Sequence, residues 1–284
     1  MLVFVGKRLL QLVPVLFGVL LVTFAVTRLT PGDPAEVLAG EDATQAMIEA
    51  TRVRLGLDRP VPVQFGIYVW NALQGDLGTS YILGRPVTQL IGRALYFTSQ
   101  IAGVALLITI VFGIPLGILS AVRRDSLLDG VARVIALVGV SIPNFFFGLL
   151  SILLFSLTLG TFSIGLVARL ARASMLDTLS QDYVRTARAK GLAGWVVVYK
   201  HALRNSAIAI VTILGLNLGN LLAGSVLTES VFAFPGIGRL LVTSIFQRDY
   251  VTVQGTILVI AVIYVGVNLL VDLLYAAVDP RIRY

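Results

Sequence analysis

The sequence contains no cysteine, one histidine and three lysines among 284 residues, and each shortage excludes a chemistry. Without cysteine there is no disulfide, no thiolate metal site and no thiol redox centre. A single histidine, His201, excludes a multi-histidine metal centre. None of Lys7, Lys190 and Lys200 stands in the Gly-Lys-Ser/Thr setting in which backbone amides and an ammonium hold phosphates, so the chain has no nucleotide-binding loop of that kind. Charge is scarce as well: 13% of residues are charged, against about 25% in a globular chain. What is abundant is apolar surface, with 57% hydrophobic residues and a mean hydropathy of +0.92. The deficit of charge falls in long apolar runs, which predicts an all-α polytopic membrane protein.

A first span runs to about Val26 behind Lys7 and Arg8. Its length, the internal Pro14 and the lack of a small-residue cleavage site predict a retained anchor rather than a secretory signal. Residues 30–95 are the one long polar stretch, with helical character over 41–57, a break at Pro60 and Pro62, an amphipathic piece over 65–73 and a turn at Gly75-Asp76-Leu77-Gly78. This stretch is too short for an independent domain and predicts a surface cap packed on the membrane part. Further spans are expected over about 98–120, 131–157, 161–170, 207–227 and 255–275, with proline kinks at Pro115 and Pro143. Two segments result: 1–95, a span plus an extracytoplasmic segment, and 96–284, a core with a basic loop over about 174–205. No polar turn is written between the third and fourth spans, although antiparallel spans need one.

Charge placement sets the orientation. With the N-terminus in the cytoplasm, fourteen basic residues face six acids inside, and eight face nine outside. The resulting +8 against −1 follows the positive-inside rule and places both termini in the cytoplasm. The net charge of +7 is then a topology signal and requires no nucleic-acid partner.

Ion-coupled transport requires ionisable groups within spans, or an internal repeat, and Asp272 is the only clear intramembrane candidate. A membrane-embedded enzyme would require a catalytic set within the spans, which is missing. Asn217 and Asn220 lie beside Gly215-x-x-x-Gly219 and fit either helix packing or the lining of a polar pathway, as does Glu229 beyond them. The basic loop is more informative. Met175, Leu179, Tyr183, Ala187 and Gly191 recur every four residues, while Asp182, Arg185, Arg188 and Lys190 occupy other faces. Such a helix over 177–192 could lie on anionic headgroups. Its small residues also suit a close fit into a protein groove.

The run Asp182-Tyr183-Val184-Arg185-Thr186-Ala187-Arg188-Ala189-Lys190-Gly191-Leu192, followed by His201-Ala202-Leu203-Arg204-Asn205, resembles the coupling motif of ABC-importer permeases. Arg185-Thr186-Ala187 stands for the usual Glu-Ala-Ala, as in the dipeptide/oligopeptide/nickel branch. Leu29-Thr30-Pro31-Gly32-Asp33-Pro34, Gly75-Asp76-Leu77-Gly78-Thr79-Ser80, Glu229-Ser230-Val231-Phe232 with Pro235-Gly236-Ile237-Gly238-Arg239, and Arg248-Asp249-Tyr250 also look like that branch, in its order. The resemblance points to the first of the branch's two paired permeases.

It implies a type I importer permease with six transmembrane helices in a bacterial or archaeal cytoplasmic membrane, carrying peptides; nickel chelates, glutathione or oligosaccharides are alternative solutes. It implies as partners a second permease, two cytoplasmic ATPases and an extracytoplasmic solute-binding protein, besides membrane lipid. ATP and magnesium would be held by the ATPases, and Asp182 to Leu192 would couple to them. The chain itself would carry no catalytic residue, metal or cofactor. The resemblance also implies a polar loop between spans three and four, and about twenty residues near Ser156 would be needed to restore one.

Overall fold

In hydrocarbon every backbone N–H and C=O must be satisfied within the protein, and for runs this apolar a helix is the solution. The computed structural model describes residues 2–29, 33–39, 43–141, 155–223 and 226–278, and among them the regular structure is helical, apart from one isolated bridge between Thr79 and Pro86. The helices are α1 (Leu2–Leu29), α2 (Pro34–Ala39), α3 (Gln45–Arg54), α4 (Val61–Leu73), α5 (Val87–Ile108), α6 (Ile114–Val122), α7 (Leu127–Ser141), α8 (Phe155–Leu179), α9 (Asp182–Ala189), α10 (Leu203–Leu222), α11 (Val226–Val231), α12 (Ile237–Phe246) and α13 (Tyr250–Val278). Four stretches among the described residues are long and apolar enough to cross a membrane: Gly6–Leu29, Val87–Val122, Gly194–Val231 and Tyr250–Leu274.

The kink expected at Pro115 is a π turn, Thr109–Gly113, that joins α5 to α6. Proline has no N–H to donate, and the wider turn absorbs the register change. A second π turn, Val197–Ala202, leads into α10. The kink expected at Pro143, and most of the third span, fall on 142–154, outside the described residues.

The sequence places the end of one span and the start of the next near Ser156. Instead, α8 is already helical from Phe155 and runs unbroken to Leu179. No proline or polar cluster interrupts that stretch, so nothing competes with the helical hydrogen bonds.

The chain divides into two compact units. The basic-loop unit comprises Met1–Val5, Ser99–Leu222 and Gly266–Tyr284, and the cap unit comprises Gly6–Thr98 and Ala223–Val265. The units are not consecutive pieces of chain, because packing joins 223–265 to the N-terminal part.

In the basic-loop unit α8 is the central helix, packed on α6, α7 and α10. Glycines set its approach. A Cβ at Gly117 would lie 2.5 Å from the Ala168 carbonyl oxygen, and one at Gly165 would lie 2.7 Å from that of Ala136. Backbones this close gain dispersion contacts that side chains would prevent.

In the cap unit Val87, Ile91, Ala94 and Ile237 form a buried cluster joined by Leu77, Leu240 and Val251. Phe65 of α4 packs edge-on against Phe17 and Phe24 of α1, at 5.8 and 5.3 Å between centroids.

Candidate functional site

The basic loop does not form one helix over 177–192. α8 stops at Leu179, Ser180 and Gln181 turn the chain, and α9 begins at Asp182. Gly191 closes α9 in a left-handed conformation, φ 74°, with its N–H donating to the Arg188 carbonyl at 2.9 Å. Glycine reaches this conformation without the strain a Cβ would add.

The four-residue stripe is therefore split between two helices, and its members part company. Met175 is buried, Tyr183 and Gly191 are exposed, and Ala187 is turned into the unit's own core. With Val184 and Val197, Ala187 forms a small buried cluster backed by Leu179. Ala187 thus packs internally, because α9 is too short and too charged to hold position without an apolar face of its own.

The opposite face of α9 carries Asp182, Arg185, Thr186 and Ala189, spaced as one helical face and all exposed. Arg188, Lys190 and Leu192 are exposed beside it. Arg185 and Asp182 pair loosely at 3.6 Å. The second half of the motif holds the first in place: the Asn205 amide donates to the Tyr183 hydroxyl at 2.6 Å. The Ser206 hydroxyl, also on α10, bonds Thr178 Oγ1 at 2.9 Å. A cavity of about 470 Å³ lies beside α9, lined by Pro115, Val122, Arg188, Trp195 and Tyr199 among others.

A second polar feature of this unit has no counterpart in the sequence reading. Asp129, fully buried, accepts two hydrogen bonds from the Arg172 guanidinium, both at 2.7 Å. It also accepts from the Ser120 hydroxyl at 2.5 Å and the Asp125 amide at 3.0 Å. Arg172 is the main cause that holds the Asp129 carboxyl well below the usual carboxylate range. The pair joins the first turn of α7 to α8. A legible signal existed, since an acid two residues ahead of an apolar run needs a partner.

The polar residues proposed for packing or a pathway separate. Asn217 is buried and accepts from the Ser163 hydroxyl at 3.1 Å, while its amide nitrogen has no partner among the described residues. Asn220 is exposed. Gly215 meets Val271, as close helix packing requires.

Glu229, in the cap unit, is buried and fully engaged in hydrogen bonds. Its carboxylate accepts from the Gly238 amide at 2.8 Å, the Arg239 amide at 3.1 Å and the Thr98 hydroxyl at 3.0 Å. Thr98 Oγ1 accepts in turn from the Ile237 amide at 2.9 Å. A carboxylate at the start of α12 satisfies orphan amides and meets the positive end of the helix dipole. Gly236 and Gly238 are small because this carboxylate presses against them.

Asp249 does similar work at the start of α13, accepting from the Thr252 hydroxyl at 2.7 Å and from the Ser80 hydroxyl. It brings together the Gly75–Ser80 and Arg248–Tyr250 motifs, which lie far apart in sequence.

A chain built this way, apolar spans carrying an exposed charged helix on a tightly packed anchor, is that of a membrane permease. It belongs to the family described as "Binding-protein-dependent transport system inner membrane component", which matches residues 113–284, and that family's N-terminal membrane-component counterpart matches residues 1–102. A putative peptide transport system permease protein of Brucella abortus (strain 2308) is 41% identical over 307 positions, covering 98% of each chain. The glutathione transport system permease protein GsiC of Pectobacterium atrosepticum is 44% identical over 299 positions, again with 98% of each covered. The probable D,D-dipeptide transport system permease protein DdpB of Escherichia coli (strain K12) is 43% identical, covering 97% of this chain and 96% of its own.

These alignments run over more positions than the 284 residues of the chain, so the relatives carry residues where it has none. Among solved structures, the fold is similar to a chain of the MetNI methionine ABC transporter in an inward-facing conformation. The TM-score is 0.60 at 22% identity, covering 67% of this chain and 97% of the other.

Proposed function

We propose that the chain is one of two paired six-span permease subunits of an ATP-driven importer for peptides, and that Asp182 to Leu192 is the segment it presents to a cytoplasmic ATPase. Residues 1–95 form a span and an extracytoplasmic segment that receives a solute-binding protein, and 96–284 form the core, with both termini in the cytoplasm. ATP and magnesium belong to the ATPase partners, and the solute passes between this subunit and the second permease. Relatives named for peptide, dipeptide and glutathione transport support this solute class. Glutathione is the nearest alternative, on its 44% identical relative.

The observation that carries the proposal is the two-sidedness of α9. Val184 and Ala187 anchor it to its own unit, while Asp182, Arg185, Thr186 and Ala189 point away from it. A helix that only rested on lipid would turn its apolar face to the membrane. Here that face is already spent on the core, and the free face is polar with one small residue. Ala189→Glu places a bulky charge on the free face without disturbing Val184 or Ala187. Gly191→Glu is a poorer test, because the left-handed backbone there strains any side chain. Co-purification of the ATPases and solute uptake by cells are both expected to fall at least about tenfold in Ala189→Glu, roughly one unpaired buried charge in a contact. Full recovery of ATPase and uptake would refute the assignment.

A further inference from the structure

The cap unit holds a cavity of about 370 Å³ whose lining includes three arginines, Arg28, Arg54 and Arg59, and one acid, Asp76. Asp76 Oδ1 accepts from the Gly78 amide at 2.9 Å, and the three arginines outnumber this one acid. Asp33, which lies near Arg28, is engaged by Arg52. Arg54 and Arg59 are exposed and form no ion pair among the described residues.

The arginines are placed by other groups rather than by carboxylates. Gln64, nearly fully buried, accepts from the Arg28 guanidinium and donates to the carbonyls of Leu57 at 3.2 Å and Arg59 at 2.7 Å. Gly56, at φ 66°, turns the chain so that Arg59 folds back over it, with Nε 3.8 Å from where a Cβ would stand. Tyr81 also lines the cavity; burial pushes its phenol up, against the pull of both Arg28 and Arg54.

The position is as telling as the charge. Phe24, Thr27 and Arg28 come from the last turns of the Gly6–Leu29 span, and Tyr250 and Gln254 from the first turns of the Tyr250–Leu274 span. The cavity thus lies at the ends of two stretches long and apolar enough to cross a membrane, with apolar walls from Phe24, Val53 and Ile67. We propose that it binds a phosphate group at the membrane–water boundary, held by Arg28, Arg54 and Arg59. A carboxylate is planar, and one guanidinium fork can span both of its oxygens. A tetrahedral phosphate offers oxygens to several forks at once, which suits three arginines around one space. Phospholipid headgroups present that group at the boundary of either leaflet, this cavity facing the extracytoplasmic one in the proposed topology.

Native mass spectrometry of the full-length permease in detergent tests this with phosphatidylglycerol, diacylglycerol and inorganic phosphate as probes. The variants are Arg54→Gln/Arg59→Gln and, as a control off the cavity, Arg85→Gln, all checked for an unchanged thermal midpoint. Phosphatidylglycerol should bind wild type and Arg85→Gln at least about tenfold more tightly than the double variant, two charge-assisted contacts being lost. Diacylglycerol, which lacks the phosphate, should bind all three weakly and alike. If inorganic phosphate alone binds wild type with the same arginine dependence, the phosphate comes from solution rather than from lipid. Equal phosphatidylglycerol and phosphate binding by wild type and double variant would overturn the proposal. So would arginine-dependent binding of an acidic delivery protein with no binding of either phosphate probe.

Discussion

Asp129 and Glu229 face the same physical problem in different units and meet it with different chemistry. Both are buried carboxylates, at 0% and 3% exposure. In the basic-loop unit Asp129 is neutralised by a guanidinium, with two bonds at 2.7 Å. In the cap unit Glu229 has no cation among the described residues; two backbone amides at the start of α12 and the Thr98 hydroxyl take its place. An ion pair is nearly all-or-none, because removing one partner strands the other charge. A carboxylate on amides and hydroxyls loses less when its charge is removed, since the geometry of the acceptors survives. The difference teaches which of the two joints breaks catastrophically and which degrades by steps.

The largest expected effect comes from stranding Arg172. Asp129→Ala should destabilise the purified permease by about 3–5 kcal/mol, read as a fall in the detergent unfolding midpoint. Pairing it with Arg172→Met should restore much of that loss, and failure to do so would show that the pair is not the source of the penalty. The pH profile sharpens the same point. The Asp129 carboxyl is held below its ordinary value, so its contribution is complete above the unfolded carboxylate range, about pH 4, and is lost as pH falls through the lowered folded value. Wild type should lose stability on that acid side, and Asp129→Ala should lack this component.

Next in size, Gly165→Val should cost about 1–3 kcal/mol by overpacking, since even a Cβ there lies 2.7 Å from the Ala136 carbonyl oxygen. Glu229→Gln should cost less, about 1–2 kcal/mol, losing the charge at the helix start but keeping an acceptor for the amides. A larger loss than that of Asp129→Ala would invert the comparison. The smallest effect on stability belongs to Ala189→Glu, expected within about 0.5 kcal/mol of wild type because the position is exposed. Its effect on ATPase recovery is expected to be large, which separates contact from folding.

Much of the membrane character and of α9 was legible, because apolar length and the order of motifs are local properties. The pairing of Tyr183 with Asn205 was written as two halves of one motif, and the structure closes them on each other. The role of Ala187 was not legible. Four-residue spacing says that Met175 through Gly191 share a stripe only if one helix runs through them, and the turn at Ser180 rotates the second half onto its own core. Glu229 was equally open between packing and pathway, since burial in a membrane protein looks the same to a sequence whether the neighbour is solute or backbone.

By itself the sequence determined that the chain crosses a membrane, a consequence of composition and of the fixed rise of a helix, and it set the expectation that the basic residues gather on one side. Only the tertiary structure decided that Asp129 is paired to Arg172, that Ser80 and Asp249 hold one joint, and that Arg28, Arg54 and Arg59 surround one space. A buried charge constrains the residue it needs but not where in the chain that residue stands. The partner is chosen by packing, and Asp249 finds Ser80 across 169 residues.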